Sequence, residues 1–184
     1  MAAGAAAGVC FRLMDWLGPL ARPLIRGRPV RNQSARPAGA VVDAIILHDT
    51  GSLNVEGTFA HFDDPETEAS AHLVIDRDGA VWQTVDYALK AWHAGRSWLW
   101  GRKDLNLTSI GIELVDVADD TYPEAQLAAL LAVTVDLCER FPAITLNRIV
   151  GHTHVAPGRK VDPGPDFPWG PFLCAVGHHL TMRA

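Results

Sequence analysis

Eight histidines, at positions 48, 61, 72, 93, 152, 154, 178 and 179, carry most of the chemical scope of this 184-residue sequence. Imidazole is a common zinc ligand, yet most histidines in any protein lie on surfaces or form hydrogen bonds in cores. Position singles out two of the eight. His48 directly follows the β-branched apolar run 41–47, at the C-terminal end of an expected strand, where open α/β sheets place their ligands. His152 directly follows a second short strand, expected over 148–150, and opens a Gly- and Pro-rich loop that carries Lys160 and Asp162. A stiff loop of this kind holds side chains without a large ordering cost. His48, His152 and Asp162 are therefore a candidate three-ligand zinc site, two neutral imidazoles and a carboxylate, with a fourth position left for water. The competing reading of each is an ordinary core or surface residue.

The elements that must position these groups read as alternating strands and helices. Residues 41–47 form a strand buried on both faces, and 55–62 have the spacing of a short helix. Residues 71–76 and 80–85 alternate around Arg77-Asp78-Gly79, a hairpin signal. Residues 109–115 make another strand, with Ile110, Ile112 and Leu114 on one face. The clearest helix runs from Pro123 to about residue 140, its apolar stripe supplied by Leu127, Leu130, Leu131, Val135 and Leu137. A long loop reaches Pro168, and a last amphipathic helix covers 171–180. There are no internal repeats. The expectation is one α/β domain over 39–184, a central mixed β-sheet flanked by helices, preceded by a loosely attached arm over 1–38.

Composition narrows the function. Hydrophobic residues make up 48% and charged residues 20%, enough apolar material for a packed core and against wholesale disorder. The formal net charge of −5 argues against a nucleic-acid partner, since such binding rests on phosphate neutralisation. No apolar run is long enough to span a bilayer. Residues 1–40 hold six arginines and one aspartate, a net +5 against −10 for the rest, which marks the arm. Its Ala/Gly-rich start lacks a basic region ahead of the apolar run, so it reads as a short amphipathic helix (Phe11, Leu13, Met14, Trp16, Leu17) rather than a secretory signal. The expected compartment is the cytoplasm, with the periplasm as alternative. Cys10, Cys138 and Cys174 form no CxxC pair and no disulfide framework, and the last two read as buried thiols on apolar helix faces.

Five segments in order carry a family resemblance: Ile46-Leu47-His48-Asp49-Thr50-Gly51, Ser70-Ala71-His72, Ala91-Trp92-His93-Ala94-Gly95, Ser109-Ile110-Gly111-Ile112-Glu113-Leu114, and the stretch 151–164 with Ala156-Pro157-Gly158-Arg159-Lys160 and Asp162-Pro163-Gly164. Together, over residues 30–175, they resemble the AmpD-type N-acetylmuramoyl-L-alanine amidases, related to phage amidase lysozymes and peptidoglycan recognition proteins. The resemblance implies one Zn2+ held by His48, His152 and Asp162, and a catalytic pair, Glu113 and Lys160. Phage and animal relatives usually carry cysteine at the third ligand, so Asp162 sets the chain on the AmpD-like side. A carboxylate is a harder ligand than a thiolate and leaves zinc a stronger Lewis acid. Glu113 would take the proton from the attacking water and pass it to the departing amine, while Lys160 faces the oxyanion.

The implied substrate is the amide between the lactyl group of N-acetylmuramic acid and the L-alanine of the stem peptide. Peptidoglycan fragments or muropeptides would be the partners of a monomer. Trp92, His93 and Arg102 are the candidate substrate contacts: the first two line the cleft, and Arg102 with Lys103 meets peptide carboxylates. Trp98 and Trp100 are placed to stack on a sugar. His72 reads as a support or core residue, His154 as solvent-facing, His61, His178 and His179 as helix-surface residues, and Asn106 as a clamp on the backbone ahead of Ser109. Ala71 stands where phage and animal relatives have a tyrosine. A non-catalytic peptidoglycan-binding module is the alternative function; it would not need this complete set. A zincin-type peptidase lacks its HExxH helix, and a Cys–His amidase lacks a cysteine in the motif segments.

Overall fold

Alternation of apolar and polar residues decides which face of the sheet becomes core. The computed structural model describes residues 20, 22–116 and 121–183. Its main sheet has six strands, β1 (Ile25–Gly27), β3 (Ala44–Asp49), β4 (Leu73–Ile75), β5 (Val81–Gln83), β9 (Ser109–Leu114) and β10 (Ile149–Gly151). They lie in the order β1-β5-β4-β9-β3-β10. Four of the pairings are parallel and one, β4 with β5, is antiparallel, so the sheet is mixed as expected. The short strands β2 (Gln33–Ala35) and β6 (Leu89–Ala91) form a separate antiparallel pair, as do β7 (Trp98–Leu99) and β8 (Arg102–Lys103).

One face of the main sheet carries Ile45, Leu47, Leu73, Ile75, Ile110, Ile112 and Leu114. These pack against Leu130, Leu131 and Val135 of α2 (Glu124–Arg140) and Phe172 and Val176 of α4 (Trp169–Arg183). Fully burying a Leu or Ile side chain stabilises by about 1.5–3 kcal/mol, so this helix-covered face dominates the stability of the domain. The opposite face is released for polar groups: Ile46 and His48 on β3 pair with Gly111 and Glu113 on β9. Helix α1 (Val55–Asp63) borders this second face. Asn54 caps it by accepting from the Glu56 N–H at 2.9 Å, and Phe59 and Phe62 pack beside Val74.

Several elements differ from the sequence expectation. The first central strand begins at Ala44, because Val41 is exposed. The described part of the supposed arm is stitched into the fold: β1 pairs in parallel with β5, and β2 pairs with β6. Arg36, just after β2, donates to the carbonyls of Tyr87 (3.2 Å), Asn106 (2.9 Å), Leu107 (2.8 Å) and Ser109 (2.8 Å). The expected loop after β10 starts with a single helical turn, α3 (His152–Val155). The last helix is longer at both ends than 171–180, since Pro171 falls in its first turn, where proline is tolerated. Cys138 is buried, as read from its helix face, but Cys174 is exposed. The expected amphipathic helix over 11–17 also lies outside them. Among the described residues no helix is long and apolar enough to cross a membrane.

Candidate metal centre

Parallel neighbours in a sheet deliver their C-terminal ends to the same edge. β3 and β10 are such neighbours, with Gly151 opposite Leu47, so the residues that follow in register, His48 and His152, emerge side by side. The loop after α3 returns to them: Thr153 N–H donates to the Asp162 carbonyl at 2.9 Å, which sets the Asp162 carboxylate beneath both rings. Gly151 permits this closure, because a Cβ there would stand 2.8 Å from Cδ of Pro163.

The three expected ligands meet at one point. His48 Nδ1 lies 3.0 Å from His152 Nδ1 and 3.1 Å from Asp162 Oδ2, and His152 Nδ1 lies 3.0 Å from the same oxygen. Ligand atoms around a tetrahedral ion with bonds of about 2.0 Å stand about 3.3 Å apart, close to this triangle. All three residues are buried. Burial pushes His48 down to about 4, against the pull of Asp162, and keeps it neutral. Burial also raises the Asp162 carboxyl, but the adjoining rings of His152 and His48 outweigh it and hold the group below the usual carboxylate range. A buried anion with two ring nitrogens converging on it is a donor set suited to a divalent cation.

Glu113 sits opposite His48 in the register of β9 and β3. Its Oε2 is buried with no hydrogen-bond partner. Burial, then the charges of Asp162 and Asp49, push its carboxyl well above the ordinary glutamate range, while Lys160 pulls it down. Lys160 itself is exposed on the rim of the same cleft. The cleft holds about 590 Å³ and is lined by His48, Trp92, Glu113, His152, Lys160 and Asp162 among others. A second cavity of about 810 Å³ adjoins it, sharing Trp92 and Arg159 and adding Lys90, Arg96, Trp98 and Lys103.

The remaining candidates divide. Trp92 lines both cavities, its indole N–H donating to Ser34 Oγ at 3.1 Å. His93 lines the first cavity as expected, and its ring lies between His48 Nε2 (3.0 Å from Nδ1) and Ser109 Oγ (3.2 Å from Nε2). Arg102 is corrected outright: both ends of its guanidinium fork bind the Asp43 carboxylate, at 3.0 and 2.9 Å, and it lines neither cavity. Lys103 does face the second cavity. His154 is exposed as expected, yet its Nδ1 accepts the Gly151 N–H at 2.9 Å and so caps α3. Sequence reasoning missed Arg159, which donates to the carbonyls of Ala94 (2.7 Å) and Arg96 (3.0 Å). Its place between Gly158 and Lys160 in the densest motif was the available signal.

His72 is a core residue. Its Nδ1 accepts the Gly111 N–H at 3.0 Å, and its Nε2 lies 3.1 Å from the Leu89 carbonyl and 2.9 Å from an Arg36 guanidinium nitrogen. Burial, then the charge of Arg36, lower it from 6.5 to about 3. The unfolded chain therefore binds a proton that the folded one refuses. Stability attributable to the neutral ring is complete above pH 6.5 and is lost as pH falls toward 3, at about 1.4 kcal/mol for each tenfold difference in proton affinity between the two states. The melting temperature of the metal-free protein is expected to drop steeply between about pH 6 and about pH 4, and His72→Gln to flatten that drop. A pH-independent melting temperature over that span would contradict the assignment.

Comparison with known proteins agrees with this geometry. The family profile described as N-acetylmuramoyl-L-alanine amidase matches residues 38–165. The 1,6-anhydro-N-acetylmuramyl-L-alanine amidase AmpD of Citrobacter freundii is 48% identical over 152 residues, 80% of this chain and 78% of that protein. A crystal structure of an AmpD selenomethionine derivative superposes with a TM-score of 0.69 at 36% identity, over 85% of this chain and 95% of that one. The E. coli amidase AmiD, solved with anhydro-N-acetylmuramic acid-L-Ala-D-γ-Glu-L-Lys, superposes with a TM-score of 0.68 at 30% identity, over 77% of this chain and 60% of that one. With its sheet, its converging His-His-Asp triangle and relatives this similar over most of its length, the chain belongs to the N-acetylmuramoyl-L-alanine amidase family.

Proposed function

We propose that this amidase holds one zinc ion with His48, His152 and Asp162 and cleaves the bond between N-acetylmuramic acid and L-alanine in soluble 1,6-anhydro-muropeptides. The observation that carries the reading is the ligand triangle of 3.0 to 3.1 Å edges facing the same cleft as Glu113, whose Oε2 is buried without a hydrogen-bond partner. When bound, zinc lowers the pKa of a coordinated water from 15.7 to about 7 and polarises a carbonyl oxygen. Glu113, raised toward neutrality by its burial, accepts the proton of the attacking water and returns it to the amine nitrogen as that group departs. Lys160 supplies a positive charge from the rim for the oxygen of the tetrahedral intermediate.

The second cavity fits the rest of such a substrate. Trp92 and Trp98 offer ring faces to a sugar or peptide plane, and Lys90, Arg96 and Lys103 offer charge to stem-peptide carboxylates. Likeness to Citrobacter freundii AmpD, at 48% identity, supports the anhydro-muropeptide as the preferred form. The resemblance to AmpD-type enzymes favours the cytoplasm as the compartment. The periplasm is the alternative compartment. Locating the protein in fractionated cells separates the two.

The test compares turnover of purified anhydro-muropeptides and of whole sacculi, before and after chelation and after zinc is restored. Faster cleavage of the soluble form, lost on chelation and recovered with zinc, is the expected result; indifference to chelator removes the zinc assignment. Lys160→Ala is expected to lower kcat by about 10²-fold or more while zinc stays bound, the scale for removing one oxyanion stabiliser. Near-normal kcat in that variant would strip Lys160 of its role.

A further inference from the structure

We infer that two consecutive residues, His93 and Ala94, form a single positioning platform that fixes the tautomer and tilt of both imidazole ligands. This rests on the metal-centre reading above. The outer nitrogen of each ligand ends on this dipeptide: His48 Nε2 lies 3.0 Å from His93 Nδ1, and His152 Nε2 lies 3.2 Å from the Ala94 carbonyl. The Ala94 carbonyl can only accept, and it lies slightly nearer to Nε2 than the Arg159 guanidinium nitrogen at 3.3 Å, which itself donates to that carbonyl. His152 therefore carries its proton on Nε2 and turns the lone pair of Nδ1 to the centre.

The direction of the other contact follows from the end of its chain. Ser109 donates its hydroxyl proton to the Leu105 carbonyl at 2.6 Å. Its oxygen is then free to accept from His93 Nε2–H, 3.2 Å away. A neutral His93 protonated there presents a lone pair on Nδ1, which accepts from His48 Nε2–H. His48 in turn offers the lone pair of Nδ1 to the metal. A ligand imidazole whose other nitrogen is held in this way keeps one tautomer and gains basicity.

The platform is itself clamped. Asn106 Oδ1 accepts the backbone N–H of both residues, from His93 at 3.2 Å and from Ala94 at 2.7 Å. Arg159 donates to the Ala94 carbonyl at 2.7 Å, sharing that acceptor with His152. Gly111 leaves the space the ring occupies, since a Cβ at that position would stand 2.4 Å from His93 Cγ. Ser109, Gly111 and Glu113 thus lie on one face of β9, two of them serving the platform and the third facing the cleft.

The experiment measures the zinc dissociation constant of the full chain by chelator competition, alongside the melting temperature of the metal-free protein and histidine tautomers by 15N NMR. His93→Phe keeps the ring and removes the acceptor; zinc affinity is expected to fall by about 10–100-fold, the usual effect of losing such a partner. His93→Asn puts an amide oxygen where Nδ1 stood and is expected to retain affinity within about threefold of the wild type, given that partner scale. Equal loss in both variants, or His93→Phe binding within that margin, overturns the platform. Should His93→Phe fail to fold, Ser109→Ala frees the His93 proton: a shifted His48 tautomer with weaker zinc binding supports the inference, and an unchanged spectrum and affinity refute it. A wild type that binds no zinc at all would refute the metal centre itself, a result distinct from any difference among variants.

Discussion

Asp162→Ala is expected to empty the metal centre and abolish amide hydrolysis. The side chain supplies the one anionic member of the triangle, 3.0 Å from His152 Nδ1 and 3.1 Å from His48 Nδ1. Structural zinc sites bind with about 10–16 kcal/mol over four ligands, so losing one amounts to about 3–4 kcal/mol, or 10²–10³-fold in affinity. The measurement is metal content after dialysis together with turnover of an anhydro-muropeptide. Asp162→Cys is the informative companion, because it substitutes the ligand type found in phage and animal relatives: zinc is retained and only the rate changes. Full activity in a metal-free Asp162→Ala protein would end the metal-based reading.

Glu113→Gln is expected to separate binding from chemistry. The amide keeps the shape of the side chain and its buried position beside His48 in the register, but it cannot take a proton. General acid–base catalysis contributes about 10²–10⁴-fold, and kcat is expected to fall by that amount while zinc affinity stays near that of the wild type. The wild-type rate is also expected to decline on the acid side as Glu113 becomes protonated, at a pH above that of an ordinary glutamate, since burial and the charges of Asp162 and Asp49 raise it. In Glu113→Gln that limb disappears from the residual rate. A limb that persists unchanged assigns the ionisation to another group.

The ligand triangle was legible because each member is tied to a local signal. His48 follows an apolar run and His152 follows a short strand, while Asp162 closes a loop of glycine and proline. Alternation in 109–114 likewise told which residues face the core, and so that Glu113 does not. Strands of two or three residues, such as β1 and β8, carry no period to read, and the partner of β1 lies far along the chain. Arg102 was misjudged for the same reason: its carboxylate partner, Asp43, is 59 positions away, and charge alone does not say whether a side chain meets substrate or a neighbour. The part played by His93 depends on a loop crossing beneath His48, a tertiary fact that no spacing announces.

The guanidinium of Arg36 has a consequence for anyone trimming this protein. It faces four main-chain oxygens and no acid, and two of those oxygens belong to Asn106 and Ser109, the residues that steady the platform. A fragment starting where the family profile begins, at residue 38, would keep every reactive group and still lose this keystone. Such a shortened enzyme would own the right tools on a bench that no longer stands level.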